Sequence, residues 1–237
     1  MSSAPPTFDP AQYFNRDLAA RYDQGIRLSC PAYDALHVMM VPLLQLLPAD
    51  ARFLSAGAGT GAEVIALATR FPRWRFTAVD VSGDMLQECR TRAARAGVLD
   101  RLRLHQGRME DFREGAVHDA GASIFVAHFI TDPAARLAYL RAIAANLKPG
   151  ADFILADLYG DRDAAEFVPL LQAWLLYYVS HGAERQKLTA DLQHIFGNIA
   201  FTSEDEMRAQ LQAAGFCDIV RFFQSFLFGA WIARKKA

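Results

Sequence analysis

A chain of 237 residues, 52 % hydrophobic and 22 % charged, has the composition of an ordinary globular protein with room for one sizeable core. Its 25 Lys and Arg against 26 Asp and Glu leave a formal net charge of −1, and the single basic run is ARKKA at the end, so no nucleic acid is expected as a partner. The longest apolar stretch, VMMVPLLQLLP, is too short and too interrupted to span a bilayer. Three scattered cysteines, Cys30, Cys89 and Cys217, form neither a disulfide framework nor a metal-ligand pair. The opening MSSAPPTFDP has no basic segment followed by an apolar one, so a cytoplasmic setting and no membrane partner are expected.

In chain order, residues 1–10 read as a flexible, proline-containing arm. Ala11 to about Leu28 reads as one amphipathic helix with Tyr13, Phe14, Leu18 and Tyr22 near one face. A second helix follows Pro31, kinked at Pro42; together they make an N-terminal helical cap, 11–48. The period then changes. ARFLSA is a buried strand and GAEVIALATRFP the helix after it. RWRFTAVDV is a second strand, followed by the helix GDMLQECRTRAARAG, which ends at Gly97. RLRLHQG is a third strand, and GASIFVAHFI (121–130) a fourth, central one. The helix DPAARLAYLRAIAANLKPG starts on Pro133 and stops at Pro-Gly, and ADFILADLYG is the fifth strand. Residues 160–202 contain the very apolar AAEFVPLLQAWLLYYVSHG and are too long for a plain connection, so they read as a helical lid insertion. TSEDEMRAQLQAAGF is a capped helix. CDIVRFF and SFLFGAWIAR then follow with almost nothing between them, which forces antiparallel pairing. The expected fold is α/β: a doubly wound, mostly parallel seven-stranded sheet with a C-terminal antiparallel hairpin, Rossmann-like, in one domain over 11–237.

FLSAGAGTG (53–61) places Gly57, Gly59 and Gly61 where the first strand opens into a helix, the position at which doubly wound sheets bind ligands. Bare main chain there lets a ligand lie against the backbone. Asp80 ends the second strand, 19 residues after Gly61, where a carboxylate can accept both hydroxyls of a ribose. Loop and carboxylate together point to an adenosine-containing cofactor. GAGTGA also fits the dinucleotide fingerprint of an NAD(P)-dependent oxidoreductase, whereas the absence of GK[ST] excludes a triphosphate loop. His128 interrupts an apolar strand near its carboxyl end and is the first candidate for a general base, with Tyr159, Asp157 and His181 as weaker ones on the same rim. His37, His105, His118 and His194 have no metal-ligand spacing, and no metal is expected.

FLSAGAGTGAEVIALA, FTAVDVSGDMLQECR, RLRLHQGRMEDF, LKPGADFILADLY and AGFCDIVRFFQSFLFGAWIARK, in that order, resemble the class I S-adenosylmethionine-dependent methyltransferases from about residue 30 to 237. CPAYDAL and FFQSFLFG look like the carboxy-S-adenosylmethionine synthase branch. The resemblance implies S-adenosylmethionine as cofactor and S-adenosylhomocysteine as product. It places Tyr33 at the methionine end, Gly57, Ala58 and Gly59 along it, Asp80 and Val81 at ribose and adenine, Arg108 and Met109 at the adenine edge, and His128 or Ala127 closing the site. Two positions depart from the family. Ser55 stands where an acidic residue is usual, and Arg108 where Asp is, which moves adenine recognition to the Met109 backbone or to Glu110. The synthase needs a basic residue late in the lid, and there is none between Lys187 and Arg208, so ordinary S-adenosylmethionine is preferred. The aromatic faces of Tyr13, Tyr22 and Tyr33 are candidates to face a sulfonium. The implied reaction is in-line methyl transfer to a partly hydrophobic small-molecule acceptor, in a chain that pairs as a homodimer. The contrasting readings are an inactive, regulatory methyltransferase-like domain, for which Ser55 and Arg108 speak, and a carboxy-S-adenosylmethionine synthase-like enzyme.

Overall fold

The structure, a computed structural model, describes residues 8–183 and 197–237; most of the expected arm and part of the lid, including Lys187 and His194, lie outside them. The apolar alternation of the sequence becomes seven strands: β1 (Arg52–Ala56), β2 (Arg75–Asp80), β3 (Leu102–Gln106), β4 (His118–Ile124), β5 (Leu147–Leu158), β6 (Phe216–Ser225) and β7 (Phe228–Lys235). They lie in the order β3-β2-β1-β4-β5-β7-β6. The first five pair parallel. β7 is antiparallel to both β5 and β6, as the short join at Phe226 and Leu227 requires. Strand order reverses between β1 and β4, so the crevice of this sheet opens above their carboxyl ends.

Helices α4 (Ala62–Arg70), α5 (Gly83–Arg95), α6 (Pro133–Asn146) and α8 (Glu204–Ala213) pack on the sheet, with α3 (Tyr33–Leu44) alongside α4 and α7 (Phe167–Ser180) over the end of β5. Their starts are set by capping chemistry. Ser82 accepts from Met85 N at 3.1 Å, Asp132 from Ala135 N at 3.0 Å ahead of Pro133, and Ser203 and Glu206 form a reciprocal capping box. One core lies under α6 and α8, around Leu54, Ile143, Phe153 and Trp231. A second lies under α3 and α4, around Phe53, Leu67, Trp74 and Phe76, and a third, an apolar cluster under α7, gathers Leu36, Leu158, Trp174 and Phe228.

Three expectations are corrected. The helix expected over Ala11–Leu28 is two: α1 (Pro10–Tyr13) and α2 (Arg16–Ser29). Asn15 breaks them because its side chain accepts Leu18 N at 3.1 Å and starts a new helix. The fourth strand spans His118–Ile124 rather than 121–130. Phe125, at φ +58°, turns the chain off the sheet, and Ala127–Phe129 is a short 3-10 turn. α6 stops at Asn146, ahead of the Pro-Gly. Leu147 pairs with His118 and Asp152 with Ala120, so Lys148–Ala151 bulge against Asp119 alone, a place where a strand tolerates proline.

Candidate active site

β1 delivers the chain into the glycine loop, and β2 holds the loop down. The N–H groups of Gly57 and Ala58 donate to the carbonyl of Val79 at 2.8 and 3.0 Å. Gly57 sits at φ +70° and Gly61 at φ +77°. A Cβ on Gly57 would lie 2.4 Å from Cγ2 of Val126, and one on Gly61 2.4 Å from Sγ of Cys89. Conformation and space both therefore demand glycine at these two positions. Asp80 is aimed at the loop: Oδ2 accepts Gly59 N at 2.8 Å and Oδ1 accepts Ser82 N at 2.8 Å. Burial pushes its carboxyl group up, against the pull of these backbone donors.

Above the loop is a cavity of about 520 Å³. Of the residues expected at the cofactor, Gly57, Gly59, Asp80, Val81, Arg108 and Met109 line it. Ala58 does not; its side chain is buried in the loop itself. Tyr33 does not either: it opens α3 in the apolar cluster and packs on His37 and Phe125, with ring centroids 4.6 and 6.1 Å away. Gln106 and Gly107, at the carboxyl end of β3, line the cavity with Glu110, beside the exposed Arg108. Pro10, Phe14 and Tyr22 close it from the N-terminal side. That cap is latched to the loop. Asp23 accepts Thr60 Oγ1 at 2.6 Å and pairs with Arg92 at 2.5 Å, while Ser82 Oγ donates to the carbonyl of Phe14 at 2.5 Å. Sequence reasoning missed Asp23, Thr60 and Ser82, whose partners are far away in the chain.

A second cavity, of about 470 Å³, shares Phe14, Tyr22, Phe125 and Phe129 with the first. Its other walls include Tyr13, Trp174, Tyr178 and Phe228, with Arg21 at the rim. His128 borders this cavity and not the first. Its Nδ1 bonds Oδ1 of Asp157, and the same oxygen accepts the backbone N–H groups of His128 and Leu158 at 3.2 and 3.1 Å. With Nδ1 as donor to the carboxylate, Nε2 is the free acceptor. Two of the base candidates are thus one unit. Tyr159, whose hydroxyl accepts Arg221 at 3.0 Å, and His181, stacked on Tyr177 at 3.9 Å, line neither cavity.

Residues 53–150 match the family model described as a methyltransferase domain. In this domain match and in its sheet order the chain is similar to the class I S-adenosylmethionine-dependent methyltransferases. It is 25 % identical over 234 residues to the carboxy-S-adenosyl-L-methionine synthase of Salmonella arizonae, covering 94 % of this chain and 90 % of that one. Among solved structures, a Methanococcus maripaludis protein assigned as an S-adenosyl-L-methionine-dependent methyltransferase superposes with a TM-score of 0.67 at 20 % identity, over 100 % of this chain and 97 % of the other. An O-methyltransferase family 2 protein of Planctomyces limnophilus, in complex with apigenin, gives 0.62 at 19 % identity, over 95 % and 62 %. The antiparallel β7 and the domain match remove the NAD(P)-dependent oxidoreductase reading.

The methyltransferase cofactor, S-adenosylmethionine, fits the residues present. Gly57 and Gly59 bring bare main chain to the wall, Asp80 offers a carboxylate toward the cavity, Gln106 and Glu110 add polar groups, and Val79, Met85, Met109 and Phe125 supply apolar surface. At the departing position, Ser55 Oγ is hydrogen-bonded to Oε1 of Glu63, a buried carboxyl group in the first turn of α4. Neither residue lines the first cavity. Burial pushes the Glu63 carboxyl group up to about 7 from 4.5. The native state then holds a proton that the unfolded chain releases, so stability falls as pH rises across that window. The cost is about 3 kcal/mol above it. Glu63→Gln is expected to be neutral near the lower end of the window and to stabilise the chain by up to about 3 kcal/mol at mildly alkaline pH, read by urea unfolding at both. Equal effects at both would refute a buried, titrating carboxyl group.

Proposed function

We propose that this methyltransferase methylates a hydroxyl of a small, largely aromatic acceptor, with His128 as the base. The observation that carries the reading is the placement of His128, on the wall of an aromatic-lined cavity contiguous with the cofactor cleft. Gly57, Gly59, Asp80 and Met109 would hold S-adenosylmethionine, which when bound supplies an electrophilic methyl group on a sulfonium. The rest is positioning, desolvation and one proton. The aromatic rings about the second cavity orient a flat acceptor and exclude water. Asp157 keeps Nδ1 of His128 protonated, so Nε2 takes the proton of the hydroxyl as it becomes a nucleophile. The cytoplasmic setting belongs to this reading, as does pairing of two copies through the exposed apolar side of α7, at Val168 and Leu176, which sedimentation would read directly.

The full-length similarity to the synthase favours a second reading, in which the cofactor is a carboxylated S-adenosylmethionine. One experiment separates them. The purified chain is analysed by mass spectrometry for bound cofactor, then incubated with S-adenosylmethionine and a panel of phenols. Products heavier by one methyl group, with S-adenosylhomocysteine, are expected. A bound cofactor heavier by one carboxylate would favour the second reading. Failure to bind S-adenosylhomocysteine by calorimetry would leave the regulatory, inactive domain.

A further inference from the structure

Arg136 of α6, buried against α8, shares a small cavity with Asp157. Its Nε donates to Oε1 of Gln210 at 2.7 Å. Its Nη1 is buried and has no hydrogen-bond partner among the described residues. The guanidinium borders a small cavity of about 10 Å³, room for a single water, which Asp157 also lines. All the hydrogen bonds Asp157 receives from described residues go to Oδ1, so Oδ2 is free to face that space. Arg136, Asp157 and His128 are thus a row of neighbours: the first two share that cavity, and His128 bonds Asp157 and borders the second one.

We infer that Arg136 is a positioning residue that acts on His128 through the Asp157 carboxylate, disfavouring the protonated imidazole. This rests on the reading of His128 as the base. The argument is a count of charge in a dry place. With Arg136 present, the row carries no net charge when His128 is neutral, and protonation leaves a net positive charge buried. Without it the row is negative, and protonation neutralises it. A low-dielectric interior favours the neutral state in each case, so the arginine lowers the pH at which His128 is protonated.

The other charges around the row do not change this sign. Burial weakens the charge on Arg136, and Asp157, then Glu206 on α8 and Asp132 at the start of α6, support it. Tyr139 faces Asp157 with its hydroxyl bonded to Ser123 and to the carbonyl of Ala56, and burial holds it protonated. Around the second cavity stand the hydroxyls of Tyr13, Tyr22 and Tyr178, and Arg21 exposed at the rim. A purely structural arginine would have its fork satisfied, whereas here one buried arm is bonded to no described group.

The test is titration of the His128 imidazole by NMR in the wild-type chain and in Arg136→Gln, Arg136→Met, Arg136→Lys and Asp157→Asn. The two neutral replacements are expected to raise the midpoint by about one pH unit or more, and the lysine variant to restore it. Gln retains a partner for Gln210, so one neutral variant remains readable if Met does not fold. Asp157→Asn is expected to lower the midpoint. If Asp157→Asn shifts it and neither neutral variant does, the role of Arg136 is refuted while the dyad stands. If Asp157→Asn leaves it unmoved, the dyad itself fails.

Discussion

Asp157→Asn should lower kcat for the acceptor by about 10²- to 10⁴-fold with little change in affinity for S-adenosylmethionine. Asparagine keeps the shape of the side chain, so the backbone N–H groups of His128 and Leu158 keep an acceptor oxygen. The same oxygen still accepts Nδ1–H, so the tautomer holds. What changes is the charge: a neutral amide no longer stabilises the imidazolium that forms as Nε2 takes the hydroxyl's proton. His128→Gln should cost a similar factor by removing the base outright. Neither residue lines the cofactor cavity, so calorimetry with S-adenosylhomocysteine should read near wild-type values for both. A kcat within threefold of wild type for either variant, with a saturating phenolic acceptor, would remove His128 from the chemistry and leave positioning alone as the source of rate.

How far the sequence discloses such a site depends on how local its causes are. The glycine loop and Asp80 were legible because their constraint is nearly local: a strand, a turn at positive φ, and a carboxylate at the next strand's tip. The terminal antiparallel pair was legible because a two-residue join allows nothing else. The fourth strand was misplaced because GASIFVAHFI stays apolar after the chain has left the sheet. Phe125 to Ile130 are apolar as cavity wall, and hydrophobic pattern does not separate that from burial in a strand. Tyr33 was assigned to the cofactor by likeness alone, and its ring serves the packing under α7. The pairing of His128 with Asp157, 29 residues apart, depends on β4 and β5 being neighbours. The bond between Ser55 and Glu63, and the cavity Arg136 shares with Asp157, likewise come from helix placement on the sheet. Chemistry built across elements is invisible until the elements are placed.

Asp80→Asn is expected to weaken S-adenosylhomocysteine binding by about 10- to 100-fold, the worth of one or two charge-assisted hydrogen bonds. In the native chain each carboxylate oxygen accepts one backbone N–H, from Gly59 and from Ser82. An asparagine has one acceptor oxygen for two donors, so its amide meets an N–H whichever way it turns. If it faces Gly59 the loop loses one of its ties to β2; if it faces Ser82 the start of α5 loses its own, and with it the Ser82 bond to Phe14 that latches the cap is weakened. The same carboxylate is the group placed to accept ribose hydroxyls, so pre-organisation and direct contact fall together. Because burial already raises its pKa, protonation should imitate the mutation: affinity should decline as pH falls through the range where Asp80 takes up its proton, and the variant should lack that decline. A variant that binds S-adenosylhomocysteine as tightly as wild type, with the same pH dependence, would place the ribose elsewhere and undo the assignment of the first cavity.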